Sequence, residues 1–211
     1  AGVRRWFFNE MIDSIAVHFD SVQGDPSYIL QGLQMVRPES GLVYHAVGVN
    51  GAATKSFLRS ENFVEQGKYV APDLVIFGLG INDAYKPDNA WFPEEYGARY
   101  DTLVDWFREI NPECEFIFMT NNDSYYRRRI PNEHGLDVVE QMKLLSERHD
   151  AALWDLFGVM GGLNSVAIWE ENRLAKSDKI HFTNAGYRLN SDLLFWALWE
   201  EYEKHLKALG Q

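Results

Sequence analysis

The residues Asp178 and His181 stand three apart in Asp178-Lys-Ile-His181-Phe-Thr-Asn-Ala-Gly-Tyr187. A carboxylate that fixes the tautomer of an imidazole and stabilises its protonated form turns the ring into a general base, and a three-residue offset on a loop brings two such side chains together. A second polar group stands in Gly78-Leu-Gly80-Ile-Asn82-Asp83, after the apolar run Leu74-Val-Ile-Phe77. A third is the glycine-rich stretch Gly48-Val-Asn50-Gly51-Ala-Ala-Thr54. A glycine lets the backbone pass close to a ligand and turn an N–H toward it. One main-chain donor and one Asn amide make the composition of an oxyanion hole, which stabilises negative charge on a carbonyl oxygen in acyl transfer. The start Gly78-x-Gly80 also suggests a dinucleotide loop, but the third glycine of that motif is Asp83, a negative charge beside a pyrophosphate.

The elements that must position these residues follow from the hydrophobic pattern. Short apolar runs at residues 42–47, 74–79, 115–120 and 151–156 read as strands, and the segments 55–67, 93–110, 132–148, 163–173 and 184–209 read as helices. This alternation predicts a three-layer α/β/α domain with a mainly parallel sheet of about five strands. In such a sheet the ligand crevice lies at the carboxyl ends of the strands, where Asn82 falls. The last helix carries a broad apolar face through Leu189, Leu193, Trp196, Leu198 and Trp199. Residues 1–40 read differently, with a strand over 15–19, a turn at 23–27 and a strand or short helix over 28–36. The expected organisation is therefore an N-terminal β segment over residues 1–40, followed by the α/β domain over residues 41–211.

With 46% hydrophobic residues and 14% aromatics in 211 positions, a packed core is well supplied. A net charge of −11 argues against a nucleic-acid partner, which requires clustered cations to neutralise phosphates. The one basic run, Arg127-Arg128-Arg129 after Tyr125-Tyr126, reads as a solvated loop or helix start, with a local anion contact as the lesser alternative. Cys114 is the single cysteine, so no internal disulfide forms, and its apolar neighbours predict a small buried role. No apolar stretch reaches membrane-spanning length. No two histidines stand at the i, i+4 spacing of a zinc site, and neither a metal nor a cofactor is expected.

The blocks Gly48-x-Asn50-Gly51-Ala52, Gly80-x-Asn82-Asp83 and Asp178-x-x-His181, in this order, resemble the second, third and fifth blocks of the SGNH (GDSL-type) esterase superfamily. The resemblance implies a serine esterase fold with His181 as general base, Asp178 as its orienting partner, Asn82 as an oxyanion donor and Gly51 as the backbone donor, with Gly48 as the fallback. It further implies a small-molecule or glycan ester as substrate, an O-acylated carbohydrate by analogy, and an exported protein. The first block of the family, Gly-Asp-Ser, does not occur in this sequence. Two alternatives stay open. Ser21, in Phe19-Asp20-Ser21, is the best in-chain nucleophile. Otherwise residues 15–36 resemble the end of a β-rich module that some bacterial members insert between the nucleophile and Gly blocks, and the serine lies upstream of Ala1 on a segment that docks against this one. A glycan-binding module that lacks its nucleophile is the non-enzymatic alternative.

Overall fold

The computed structural model describes residues 4–10, 12–18, 32–36 and 39–210. By internal packing the chain divides into two units, residues 1–45 and 46–211. The described residues of the first unit carry no regular secondary structure. The strand expected over 15–19 is thus absent at 15–18, and Phe19 and Ser21 lie outside the described residues.

In the second unit the order is α1 (Thr54–Phe57), α2 (Phe63–Gly67), β1 (Leu74–Phe77), α3 (Ile81–Ala84), a 3₁₀ turn (Asp88–Ala90), α4 (Pro93–Ile110), β2 (Glu115–Met119), β3 (Tyr125–Tyr126), β4 (Ile130–Pro131), α5 (His134–His149), β5 (Ala152–Trp154), α6 (Leu156–Met160), α7 (Ser165–Glu171) and α8 (Asn184–Ala208). Strands β1, β2 and β5 form a parallel sheet in that order, with Phe77 opposite Phe118 and Met119 opposite Trp154. The expected α/β class with a parallel sheet is what the chain adopts.

Three of the four strands drawn from the apolar runs form. The fourth, over 42–47, does not: Leu42, Val43, Tyr44 and Val47 are exposed and irregular. A run of β-formers becomes a strand only where a neighbouring strand accepts its hydrogen bonds, and β1 pairs with β2 alone among the described residues. The helix expected over 55–67 is split into α1 and α2.

Helix α4 starts with Pro93 at its first turn beside Glu94 and Glu95, a start favoured by the fixed proline φ and by the helix dipole. Its inward face, Tyr96, Tyr100, Leu103 and Val104, follows the helical period. Helix α5 buries Val138, Met142 and Leu145 and stops at Asp150, which takes a left-handed φ of 53°. These faces close on Phe77, Phe116 and Phe118 of the sheet in one apolar core. Cys114 is buried at its edge, where desolvation lifts the thiol to about 11, in line with the expected packing role. A second cluster, Leu156, Met160, Val166, Trp169, Ala175 and Phe182, lies under the loop that carries His181.

Helix α8 carries the expected apolar residues but does not bury them. Leu189, Phe195, Trp196, Leu198 and Trp199 are exposed, because no described element packs along that face. Among the described residues no helix is long and apolar enough to cross a membrane.

Candidate active site

The Asp178–His181 loop is fixed from both sides. Its ends are joined by Lys176 N–H to His181 O (2.8 Å) and Thr183 N–H to Leu174 O (2.9 Å). Thr183 then caps α8 by accepting from Gly186 N–H at 3.2 Å. From the loop after β2, the Asn122 amide donates to Ile180 O at 2.9 Å. Within this frame Asp178 Oδ2 lies 2.9 Å from His181 Nδ1, and Asp178 Oδ1 accepts from the N–H groups of Ile180 and His181, each at 2.9 Å. Partial burial pushes the Asp178 carboxyl up, but the two backbone N–H groups and the imidazole outweigh it and hold the carboxyl below its usual value. A carboxylate facing Nδ1 selects the tautomer with the proton there, which leaves Nε2 able to accept a proton.

The other two loops meet each other. Gly51 is the third residue of a turn closed by Ala52 N–H to Val49 O (3.0 Å), and its φ of 73° is a conformation glycine takes without strain. Asn82, exposed on α3, donates one amide N–H to Ala52 O at 2.9 Å and keeps a second N–H for another acceptor. Directly behind them, the fully buried Asp83 accepts from Thr54 N–H (2.9 Å) and Thr54 Oγ1–H (2.7 Å). Arg99 of α4 donates its Nε–H to Thr54 Oγ1 at 2.9 Å and brings its guanidinium within 3.8 Å of Asp83.

The strand end that leads into α3 is gripped as firmly. The hydroxyls of Tyr96 and Tyr100 both donate to Leu79 O, at 2.8 and 2.7 Å, and Leu79 N–H donates to the Tyr100 oxygen at 3.1 Å. Desolvation pushes both phenols well above their ordinary value, so they stay neutral donors. Gly80 sits against the Tyr96 hydroxyl with a φ of 144°, where any Cβ would collide with it.

The structure thus joins the Gly51 turn to Asn82 and, separately, Asp178 to His181. What links the two halves is the β3–β4 hairpin. Tyr125 N–H donates to Lys179 O (2.9 Å), while Arg127 N–H donates to the Tyr85 hydroxyl (2.8 Å) just after α3. Gly48, the fallback donor, lies exposed in irregular chain before the Gly51 turn, and Gly51 is exposed as well.

The four candidate residues are readable in the sequence, but Thr54, Arg99 and Asn122, whose partners are distant in the chain, are not. Asp83 was visible only as a misfit to a dinucleotide motif. The aromatic residues Trp91, Tyr96, Tyr125 and Tyr126 stand near strand-end loops in the sequence, where they are candidates to stack on sugar rings; Trp91 and Tyr96 are buried, with Trp91 Nε1–H held by Asp137 at 2.8 Å, while Tyr125 and Tyr126 are half-buried.

Asn82, just after the carboxyl end of β1, and the Asp178–His181 pair, on the loop before α8, thus stand on one parallel α/β domain. The chain belongs to the GDSL-like lipase/acylhydrolase family, whose profile matches residues 13–189. Among solved structures it is similar to a peptidoglycan O-acetylesterase, at 20% identity and a TM-score of 0.67 over 73% of this chain and 45% of that one. It is also similar to the acetyl xylan esterase AlAXEase, at 19% identity and a TM-score of 0.53 over 72% and 78% of the two chains. A lipase/acylhydrolase from Enterococcus faecalis matches at 22% identity and a TM-score of 0.50 over 68% and 69%. The chain therefore spans under half the length of the first of these structures. No curated protein matches it.

Proposed function

We propose that the protein is a serine-type ester hydrolase acting on O-acylated, and specifically acetylated, carbohydrate. The observation that carries this reading is the 2.9 Å pair of Asp178 Oδ2 and His181 Nδ1 in a chain of the acylhydrolase family. His181 Nε2 takes the proton of a serine hydroxyl, whose oxygen attacks the acyl carbon. The Gly51 N–H and the second Asn82 N–H hold the resulting oxyanion. The tetrahedral intermediate collapses, the sugar oxygen leaves with the proton from His181, and water then attacks the acyl-serine with His181 again as base. Asp178 stays ionised throughout and stabilises the imidazolium.

The serine is either Ser21, in the N-terminal segment, or one upstream of Ala1 on a segment that docks against the α/β domain. The carbohydrate substrate is supported by the fold likeness to a peptidoglycan O-acetylesterase and an acetyl xylan esterase. A fluorophosphonate probe tests the whole reading. The intact protein is expected to form one serine adduct, found by peptide mapping and lost in His181→Ala. Absence of any adduct in a folded, intact protein overturns the reading and leaves a glycan-binding module.

A further inference from the structure

The β3–β4 hairpin is the element that the proposed chemistry leaves unused. It stands between the two halves of the site, bonded to Lys179 of the Asp178–His181 loop on one side and to Tyr85 after Asn82 on the other. Its tip is Arg127-Arg128-Arg129, all exposed. Arg129 N–H closes the turn on Tyr126 O at 3.2 Å, and both central residues, Arg127 and Arg128, have positive φ of 51° and 63°. Such a turn suits the hairpin twist but strongly favours Asn-Gly, because a Cβ at positive φ is strained. Two arginines therefore occupy the positions where their side chains are least compatible with the backbone. Strain of this kind collects at functional sites and calls for a reason outside the fold.

Charge supplies the reason. The chain carries a net −11, yet three of its 20 basic residues stand consecutively here. Among the described residues none of the three guanidinium groups forms an ion pair. Arg127 lies over the Tyr126 ring at 5.2 Å, and that ring packs against Tyr85 at 4.9 Å, so the base of the tip is braced by aromatic contacts. Guanidinium groups recognise carboxylates through paired N–H donors.

We propose that Arg127, Arg128 and Arg129 bind a carboxylate on the glycan that carries the ester, and so direct the enzyme to O-acetylated acidic polysaccharides over neutral ones. This specificity rests on the ester-hydrolase reading; the binding of the acidic glycan does not.

The decisive variant is R127N/R128G, which removes two charges while giving the turn its preferred residues, so it is expected to unfold at a higher temperature than the wild type. Two quantities are read on the intact protein. The first is affinity for polygalacturonate oligomers, measured by calorimetry. The second is the ratio of kcat/KM for acetylated polygalacturonate to that for acetylated xylan. Each is expected to fall about tenfold in R127N/R128G, the sum of a few exposed charge contacts. R127K/R128K, with the strain kept and the charge kept, should retain most of both. Salt at ~1 M, where the Debye length is about 3 Å, should weaken wild-type binding to the level of R127N/R128G.

Affinity and ratio both within about twofold of wild type in R127N/R128G, against the roughly tenfold fall expected, would overturn the proposal. So would arginine-dependent binding to phosphatidylserine vesicles with none to polygalacturonate. If the wild type binds polygalacturonate through these arginines but hydrolyses neither ester, the ester-hydrolase reading fails and the anion site stands.

Discussion

Replacing Thr54 with Val tests whether the buried cluster behind the proposed oxyanion loops, those of Gly51 and Asn82, holds them in place. The Thr54 hydroxyl is completely buried, donates to Asp83 at 2.7 Å and accepts from Arg99 at 2.9 Å. Valine keeps the shape, so no cavity opens, but both hydrogen bonds go. Each involves a charged partner, and such bonds contribute about 1.5–3 kcal/mol. The Thr54 backbone N–H still reaches Asp83 at 2.9 Å, so the carboxylate is not stranded. A loss of ~3 kcal/mol in unfolding free energy follows, near the lower end of the two bonds summed. Thr54→Ser keeps both bonds and gives up one methyl, a loss of about 1 kcal/mol. Because the cluster ties the Gly51 turn to Asn82, kcat for an acetyl ester should fall about tenfold or more in T54V, as expected when oxyanion donors are loosened rather than removed, and recover in T54S. Urea unfolding and steady-state kinetics on the intact protein give both numbers. A T54V protein within ~0.5 kcal/mol of wild type with full kcat, or a T54S protein as unstable as T54V, would show that the Thr54 hydroxyl does not hold the loops.

Two further outcomes follow from the loop after β2. Asn122→Ala removes the 2.9 Å bond to Ile180 O, so kcat should drop about tenfold with KM nearly unchanged, since the residue steadies the base rather than the substrate; equal changes in both constants would argue against that role. Asp123 is buried, its Oδ1 has no hydrogen-bond partner among the described residues, and its Oδ2 accepts from Val166 N–H at 2.9 Å. Desolvation lifts this carboxyl above its usual value despite the backbone N–H bonds that pull it down. The folded state therefore keeps the proton to higher pH than the unfolded chain, and stability falls as pH rises from about 4, the ordinary Asp value, through the raised one. Asp123→Asn lacks that loss, so its melting temperature relative to wild type should be highest at alkaline pH and shrink toward pH ~4; a difference that is flat with pH would contradict the assignment.

The parallel sheet and the site loops were legible for local reasons. Leu74-Val-Ile-Phe77 and Glu115-Phe-Ile-Phe-Met119 are short runs of strong β-formers bounded by turn residues, and both form strands. Asp178 and His181 are near neighbours in the chain, so their contact depends on one loop. The run at 42–47 looks the same locally, yet strand formation there requires a pairing partner that composition does not reveal. Thr54, Asp83 and Arg99 meet across 29 and 45 residues, and no periodicity encodes such contacts. The β3–β4 hairpin escaped notice because its turn is Arg-Arg, where sequence reasoning looks for Asn-Gly. Trp91 and Tyr96 misled in the opposite sense, as their polar atoms serve the core: Tyr96 bonds Leu79 O and Trp91 bonds Asp137.

In the proposed reaction His181, oriented by Asp178, is the base that activates the serine. The most direct test of that role is kcat/KM for 4-nitrophenyl acetate in the intact protein and in His181→Ala. A fall of at least about a thousandfold is expected, the scale of losing the general base of such a triad. Hydrolysis at the wild-type rate in His181→Ala would contradict that role.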